Sequence, residues 1–167
     1  AEVVLFSRSE ERQRAVLAEL HHERLAGWIG DVRDLTALRA CLRAHPVDTI
    51  IHAAAMKSVP ACEQFPAEAC ATNVTGTTNV LEAAAEVGAR VVALSSDKAC
   101  QPSCVYGTTK AVLERVVMAS GQTAVRFGNL IGSTGSVIPI WKAQRDRAEP
   151  ITVTDPNMTR FYIRTAD

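Results

Sequence analysis

The sequence contains no apolar run approaching the roughly 20 residues a membrane-spanning helix requires, and its first residues lack a basic, apolar, small-residue leader pattern. A soluble cytoplasmic protein with no membrane partner is the expectation. Neither sign of charge dominates: Lys plus Arg total 18 and Asp plus Glu total 18. There is therefore no overall field to attract nucleic acid, and any anion must be bound locally. The five cysteines, Cys41, Cys62, Cys70, Cys100 and Cys104, are odd in number and form no CxxC pair. That disfavours both a disulfide framework and a zinc site, so the thiols read as reduced and no metal is expected. Glycine is also missing where it would matter most, with none before Gly27.

What is present is apolar and alternating. At 167 residues and 47% apolar composition the chain can build one well-buried core. Short β-branched runs alternate with helix-length segments, the pattern of parallel strands joined by crossover helices. Strands are predicted at 2–6, 27–31, 48–55, 90–96 and 123–129, with a further strand-like piece at ITVTD. Their near-continuous apolar character suits burial on both faces. Ser7 followed by Glu10 has capping-box spacing and predicts a first helix running to His21. Further helices are predicted from Leu35 to His45 ahead of Pro46, from Pro66 to Val87 ending at Gly88, from Tyr106 to Ser120, and over 138–145.

The fold class that follows is α/β, a Rossmann-like doubly wound parallel sheet. Such folds open with a strand, a glycine-rich turn and a helix, because a pyrophosphate needs backbone amides at a helix N-terminus. Here EVVLF leads into SRSEER without a glycine. The chain is therefore expected to begin at the fold's second strand, lacking the first strand and its phosphate loop, and FYIRTAD is expected to be a cut end. Residues 1–130 read as a partial dinucleotide-binding domain and 131–167 as the start of a substrate-binding region.

Tyr106 and Lys110 form a YxxxK pair that a helix stacks one turn apart on one face. A neighbouring ammonium lowers a phenol's pKa toward neutral, as a general base requires. The same spacing also describes an ordinary surface pair. Ser95, Ser96, Asp97 and Lys98 end a buried strand about ten residues earlier, where open α/β sheets bind ligands; alternatively Ser96 and Asp97 merely cap a turn and Lys98 is solvated.

LSSDKACQP leading into VYGTTK resembles the catalytic stretch of UDP-N-acetylglucosamine 4,6-dehydratases of the polysaccharide-biosynthesis type, in the extended short-chain dehydrogenase/reductase superfamily. FSRSE, GDVRD, HAAAMKSVPACEQFP, NVTGTTNVLEAA, RFGN, GSVIP and DPNMTRF match the same family in order. The resemblance implies a lyase acting on UDP-N-acetylglucosamine or a related UDP-sugar, with a homo-oligomeric assembly. It makes Tyr106 the base at the C4 hydroxyl, Lys110 its tuner and ribose contact, Lys98 the acceptor of the C5 proton, Asp97 the acid at the C6 hydroxyl, and Ser96 a hydrogen-bond partner of the C4 oxygen. Gln101 stands where many relatives have Asn, and Cys100 where many have Val.

At the cofactor end, Ser7 and Arg8 follow the first strand. A cation there suits a 2'-phosphate, favouring NADP over NAD, unless Arg8 is simply solvated. The resemblance gives Asp31 and Val32 to adenine, Ala53, Ala54 and Ala55 to a strip under the cofactor, and Asn73 to support of the active-site loop. Lys57, Asn129, Val137, Pro139, Thr159 and Arg160 match substrate-binding positions, with Arg160 suited to a diphosphate. His52 reads as a hydrogen-bonded core histidine. The rival activities are nucleotide-sugar 4-epimerisation, against which the Asp97–Lys98 pair argues, and a non-catalytic sugar-nucleotide-binding scaffold.

Overall fold

The computed structural model describes residues 2–133 and 135–164. The chain divides into one compact unit up to Val125 and another from Arg126.

In the first unit, strands and helices alternate as the sequence pattern predicts. Strand β1 (Val3–Ser7) pairs in parallel with β2 (Leu25–Ile29), in register Val3 to Leu25. Strands β3 (Thr49–His52), β4 (Arg90–Leu94) and β5 (Thr123–Val125) form a second parallel sheet in that order. β1 and β3 are not paired with each other, and residues of both, with Leu38, Cys41, Val80 and Ala83, line an apolar groove of about 750 Å³. The sheet is thus interrupted between β1 and β3, where the doubly wound plan places the strand this sequence lacks.

Helix α1 (Glu10–Leu20) is capped by Ser9, whose hydroxyl accepts from the Arg12 amide, and not by Ser7 as the capping-box spacing predicts. Ser7 belongs to β1, opposite Ile29, and its carbonyl and hydroxyl both accept from the Gln13 amide. Helix α2 (Leu35–Ala44) is capped by Asp34 and ends at His45, just before Pro46. The long helix predicted over 66–87 is present, with one widened turn inside it. Short α3 (Val59–Gln64) precedes it, α4 (Pro66–Cys70) opens it, a π-helical turn covers Ala71–Thr75, and α5 (Gly76–Val87) completes it. Gly88, at φ 70°, supplies the left-handed C-cap.

The predicted strands over 48–55, 90–96 and 123–129 are each shorter than expected, because their last residues leave the ladder for the loops that follow. A 3₁₀ turn (Asp97–Ala99) follows β4, and α6 (Val105–Ala119) follows that turn. The core lies between the β3–β4–β5 sheet and its helices, built from Val91 and Ala93 of β4, Val80, Leu81, Ala83 and Ala84 of α5, and Leu113 and Val117 of α6. Leu113 and Val117 are fully buried, one turn apart on the inner face of α6.

The second unit contains β6 (Asn129–Leu130) in parallel with β7 (Tyr162–Ile163), and helix α7 (Val137–Asp146). ITVTD is not a strand: its side chains are exposed and Thr152 instead meets α7, accepting from the Trp141 indole at 2.7 Å.

Candidate active site

Three elements bring the chemistry-bearing residues together. β4 delivers Ser95 and Ser96 to its C-terminal end, the 3₁₀ turn presents Asp97 and Lys98, and α6 returns Tyr106 and Lys110 to the same region. Gly107 permits this return, because its backbone passes directly over the Lys98 carbonyl, leaving no room for a side chain.

The cluster is continuous. The Ser96 hydroxyl donates to Asp97 at 2.9 Å, and the Lys98 ammonium pairs with the same carboxylate oxygen at 3.1 Å. Tyr106 hydrogen-bonds Ser96 and lies within electrostatic reach of Asp97. Burial works to raise the Asp97 pKa, but hydrogen bonds from Lys98 and Ser96 outweigh it and hold the carboxyl below its ordinary value. Asp97 is therefore a carboxylate at neutral pH.

Tyr106 departs from the expectation. Its pKa is raised, chiefly by burial, with the Ser96 hydrogen bond opposing and Cys62, Asp97 and Cys104 adding to the rise. Lys110 does not offset that rise: its ammonium donates to the Leu94 carbonyl at 2.6 Å. Lys110 is 3% exposed, and this desolvation, partly offset by Glu114, pushes its pKa down to about 8.

A second layer holds the cluster in place. Asn73 is fully buried in the π turn; its amide accepts from the Met56 N–H, and donates to the Met56 carbonyl and to Thr109 of α6. Thr109 in turn donates to the Tyr106 carbonyl. Asn73 thus ties the loop after β3 to the helix bearing Tyr106. Glu63, on α3, accepts from the Val105 amide at 2.7 Å, adding a carboxylate to the first turn of α6. The sequence reading missed Glu63 and Glu114; a charged residue amid the apolar positions of α6 was the available signal for Glu114. His52, 3% exposed, hydrogen-bonds Thr77 and has its pKa lowered to about 4 by burial, as a core histidine should.

The cofactor positions gather at a different place. Ser7, Arg8, Asp31, Val32, Ala53, Ala54 and Ala55 all line one cavity of about 550 Å³ at the C-terminal ends of β1, β2 and β3. Arg8 pairs with Asp31 at 3.5 Å, and Asp31 is also held by Arg33. Lys57 is exposed on the loop between β3 and α3. In the second unit, Asn129, Val137 and Arg160 line a pocket of about 380 Å³, whereas Pro139 and Thr159 are not among its lining residues. Ser136, which no sequence argument singled out, lines the same pocket with a buried hydroxyl that has no hydrogen-bond partner among the described residues. Among the described residues no group of His, Cys, Asp and Glu could hold a metal, and no helix is long and apolar enough to cross a membrane.

Comparison with known proteins decides the family. Residues 1–167 match the polysaccharide biosynthesis protein family over the full span. The chain belongs to that family. It is 40% identical over 176 residues to a UDP-glucose 4-epimerase of Rickettsia typhi, covering 99% of this chain and 51% of that protein. Among solved structures it is similar to Pen from Bacillus thuringiensis, with a TM-score of 0.91, 38% identity and coverage of 98% of this chain and 55% of that one. It is also similar to the dTDP-glucose 4,6-dehydratase DesIV from Streptomyces venezuelae, solved with NAD bound, with a TM-score of 0.87, 25% identity and coverage of 99% and 59%. The fold is therefore Rossmann-like, within the extended short-chain dehydrogenase/reductase superfamily. The chain spans about half the length of the curated relatives it matches.

Proposed function

We propose that this chain carries the catalytic half of a nucleotide-sugar 4,6-dehydratase acting on a UDP-N-acetylhexosamine. The observation that supports it is the Asp97–Lys98 ion pair, 3.1 Å apart, beside the Ser96–Tyr106 hydrogen bond. C4 oxidation needs a base at the hydroxyl. Removing water from C5 and C6 needs an amine and an acid as well.

Tyr106 takes the C4 hydroxyl proton, with Ser96 holding the oxygen. A nicotinamide dinucleotide, when bound, would supply the hydride acceptor for C4 and the hydride donor for C6. The C4 ketone acidifies C5, Lys98 takes the C5 proton, and Asp97 gives a proton to the departing C6 hydroxyl. Lys98 then returns its proton to C5, the proton that Tyr106 took from the C4 hydroxyl passes by way of Ser96 to Asp97, and the net change is loss of water. Asp97 as carboxylate and Lys98 as ammonium is the proton distribution reached once water has left. The reactive form, acid plus free amine, has the same number of protons and differs by one transfer along the observed contact.

The cofactor cavity fits the adenosine end: a small-residue strip at Ala53–Ala55 lets a ring approach the backbone, and Asp31 and Arg8 stand at its rim. This chain supplies no glycine-rich turn for the pyrophosphate. Arg8 is the argument for NADP, since its side chain is 61% exposed and can leave Asp31 for a 2'-phosphate. In DesIV the bound form is NAD. Calorimetry of the full-length protein with both cofactors tests the choice: Arg8→Ala should weaken NADP binding about tenfold or more and leave NAD within about twofold.

A second reading, 4-epimerisation, is favoured by the names of the curated relatives. Product analysis after incubation with UDP-N-acetylglucosamine separates them. A 4-keto-6-deoxy sugar supports the proposal, while a C4 epimer alone overturns it. Lys98→Ala should still oxidise C4 yet release no water.

A further inference from the structure

Beneath the Ser96–Tyr106 cluster, α6 carries two buried ionisable groups one turn apart, Lys110 and Glu114, 3% and 5% exposed. They end on consecutive residues where β4 leaves the sheet. The Lys110 ammonium donates to the Leu94 carbonyl, and the Ser95 hydroxyl donates to the Glu114 carboxylate. Both groups are thus pinned to one short stretch of backbone. Opposite charges at this helical spacing are neighbours, and out of water their attraction is much stronger than at a surface.

We propose that Glu114 is a positioning residue for the YxxxK pair: its buried carboxylate, fixed by Ser95, keeps Lys110 an ammonium, held on the Leu94 carbonyl one turn of α6 from Tyr106. This rests on the reading of Tyr106 as the base.

The surroundings leave Glu114 this task. From β3, His52 faces Lys110 and is neutral at pH 7, since its pKa is about 4. The turn after β4 brings Asp97 and Lys98, already joined to each other. Cys62 of α3 and Cys104, the N-cap residue of α6, border Tyr106. The π turn and α5 contribute Asn73 and Thr77, neither of which carries charge. Burial lowers the Lys110 pKa and Glu114 raises it, leaving a value of about 8. With so small a margin above neutrality, losing about one unit would leave half the lysines uncharged at pH 7.

The test is a lysine ¹³Cε NMR titration of the full-length protein, with the Lys110 resonance identified by its disappearance in Lys110→Met. Glu114→Gln keeps the shape and removes the charge; the Lys110 midpoint should fall by about one unit or more. Glu114→Asp should restore most of it, and Ser95→Ala should show a smaller fall. The alkaline limb of the C4-oxidation pH profile should move down in step, with KM for the sugar nucleotide unchanged. Should Glu114→Gln fail to fold, the Ser95→Ala titration decides alone. An unmoved Lys110 midpoint overturns the proposal even if Tyr106→Phe abolishes turnover. Full turnover in Tyr106→Phe instead overturns the reading of the site, and this proposal with it.

Discussion

In most helices Gly→Ala stabilises by about 1 kcal/mol, because glycine loses more backbone freedom on folding. Gly107→Ala should do the opposite. An ideal Cβ at this position would stand 2.3 Å from the Lys98 carbonyl oxygen and 3.2 Å from both the carbonyl carbon and the Pro102 Cβ. The nearest obstacle is backbone, not the end of a flexible chain, so relief requires α6 and the 3₁₀ turn to part by roughly 0.7 Å or more, the shortfall from about 3.0 Å. Overpacking of this kind costs about 1 to 3 kcal/mol. Against the helix gain, a net loss of up to about 2 kcal/mol remains, or up to roughly 8 °C in Tm for a protein of this size. The functional loss should be larger. The two elements forced apart carry Lys98 and Tyr106, and a displacement of about 1 Å can cost roughly a hundredfold in rate. Differential scanning calorimetry and product-formation rates on full-length Gly107→Ala check both. A variant with raised Tm and unchanged turnover would refute the close approach on which the site geometry depends.

Two other outcomes are expected. His52 has a folded pKa of about 4 against 6.5 in an open chain; the unfolded state therefore binds the extra proton between those values. Its contribution is intact above pH 6.5 and is lost as pH falls toward 4, a drop of about 3 kcal/mol. Urea unfolding across that range should show this slope and lose it in His52→Gln; an identical slope in the variant removes His52 as the cause. Gln101 adopts φ 47°, a left-handed conformation that Asn tolerates better than Gln. Gln101→Asn should raise the unfolding free energy by roughly 0.5 to 1 kcal/mol in chemical denaturation; a loss of stability would show that the loop needs glutamine for another reason.

The parallel α/β plan was legible because its evidence is local. β-branched runs, Pro46 after α2 and Gly88 after α5 each announce an element or its end within a few residues. What escaped was set by distant partners. The segment 66–87 has helical pattern throughout, yet the turn at Ala71–Thr75 widens, and within it Asn73 bonds Met56 and Thr109, contacts 17 and 36 residues away. Ser7 has the spacing of a cap, but β1 claims it and Gln13 donates to its hydroxyl, leaving the cap to Ser9. At the site, YxxxK spacing correctly puts Tyr106 and Lys110 on neighbouring turns of α6. It could not reveal that Lys110 reaches for the Leu94 carbonyl, because that acceptor belongs to β4.

The same groups explain why the layer under the site is costly and retained. His52, Asn73, Thr77, Ser95, Lys110 and Glu114 are all buried polar or charged residues, where apolar side chains would pack at lower cost. Lys110 opposes folding near neutral pH, since its folded pKa of about 8 lies below the ordinary 10.5 and the unfolded chain binds its proton more tightly. That penalty shrinks as pH rises from about 8 toward 10.5. An inert core would have no use for a lysine whose charge works against stability at the pH of use. The proposed base, Tyr106, stands one turn away on the same helix, and Glu114 and Ser95 limit the penalty without removing the charge.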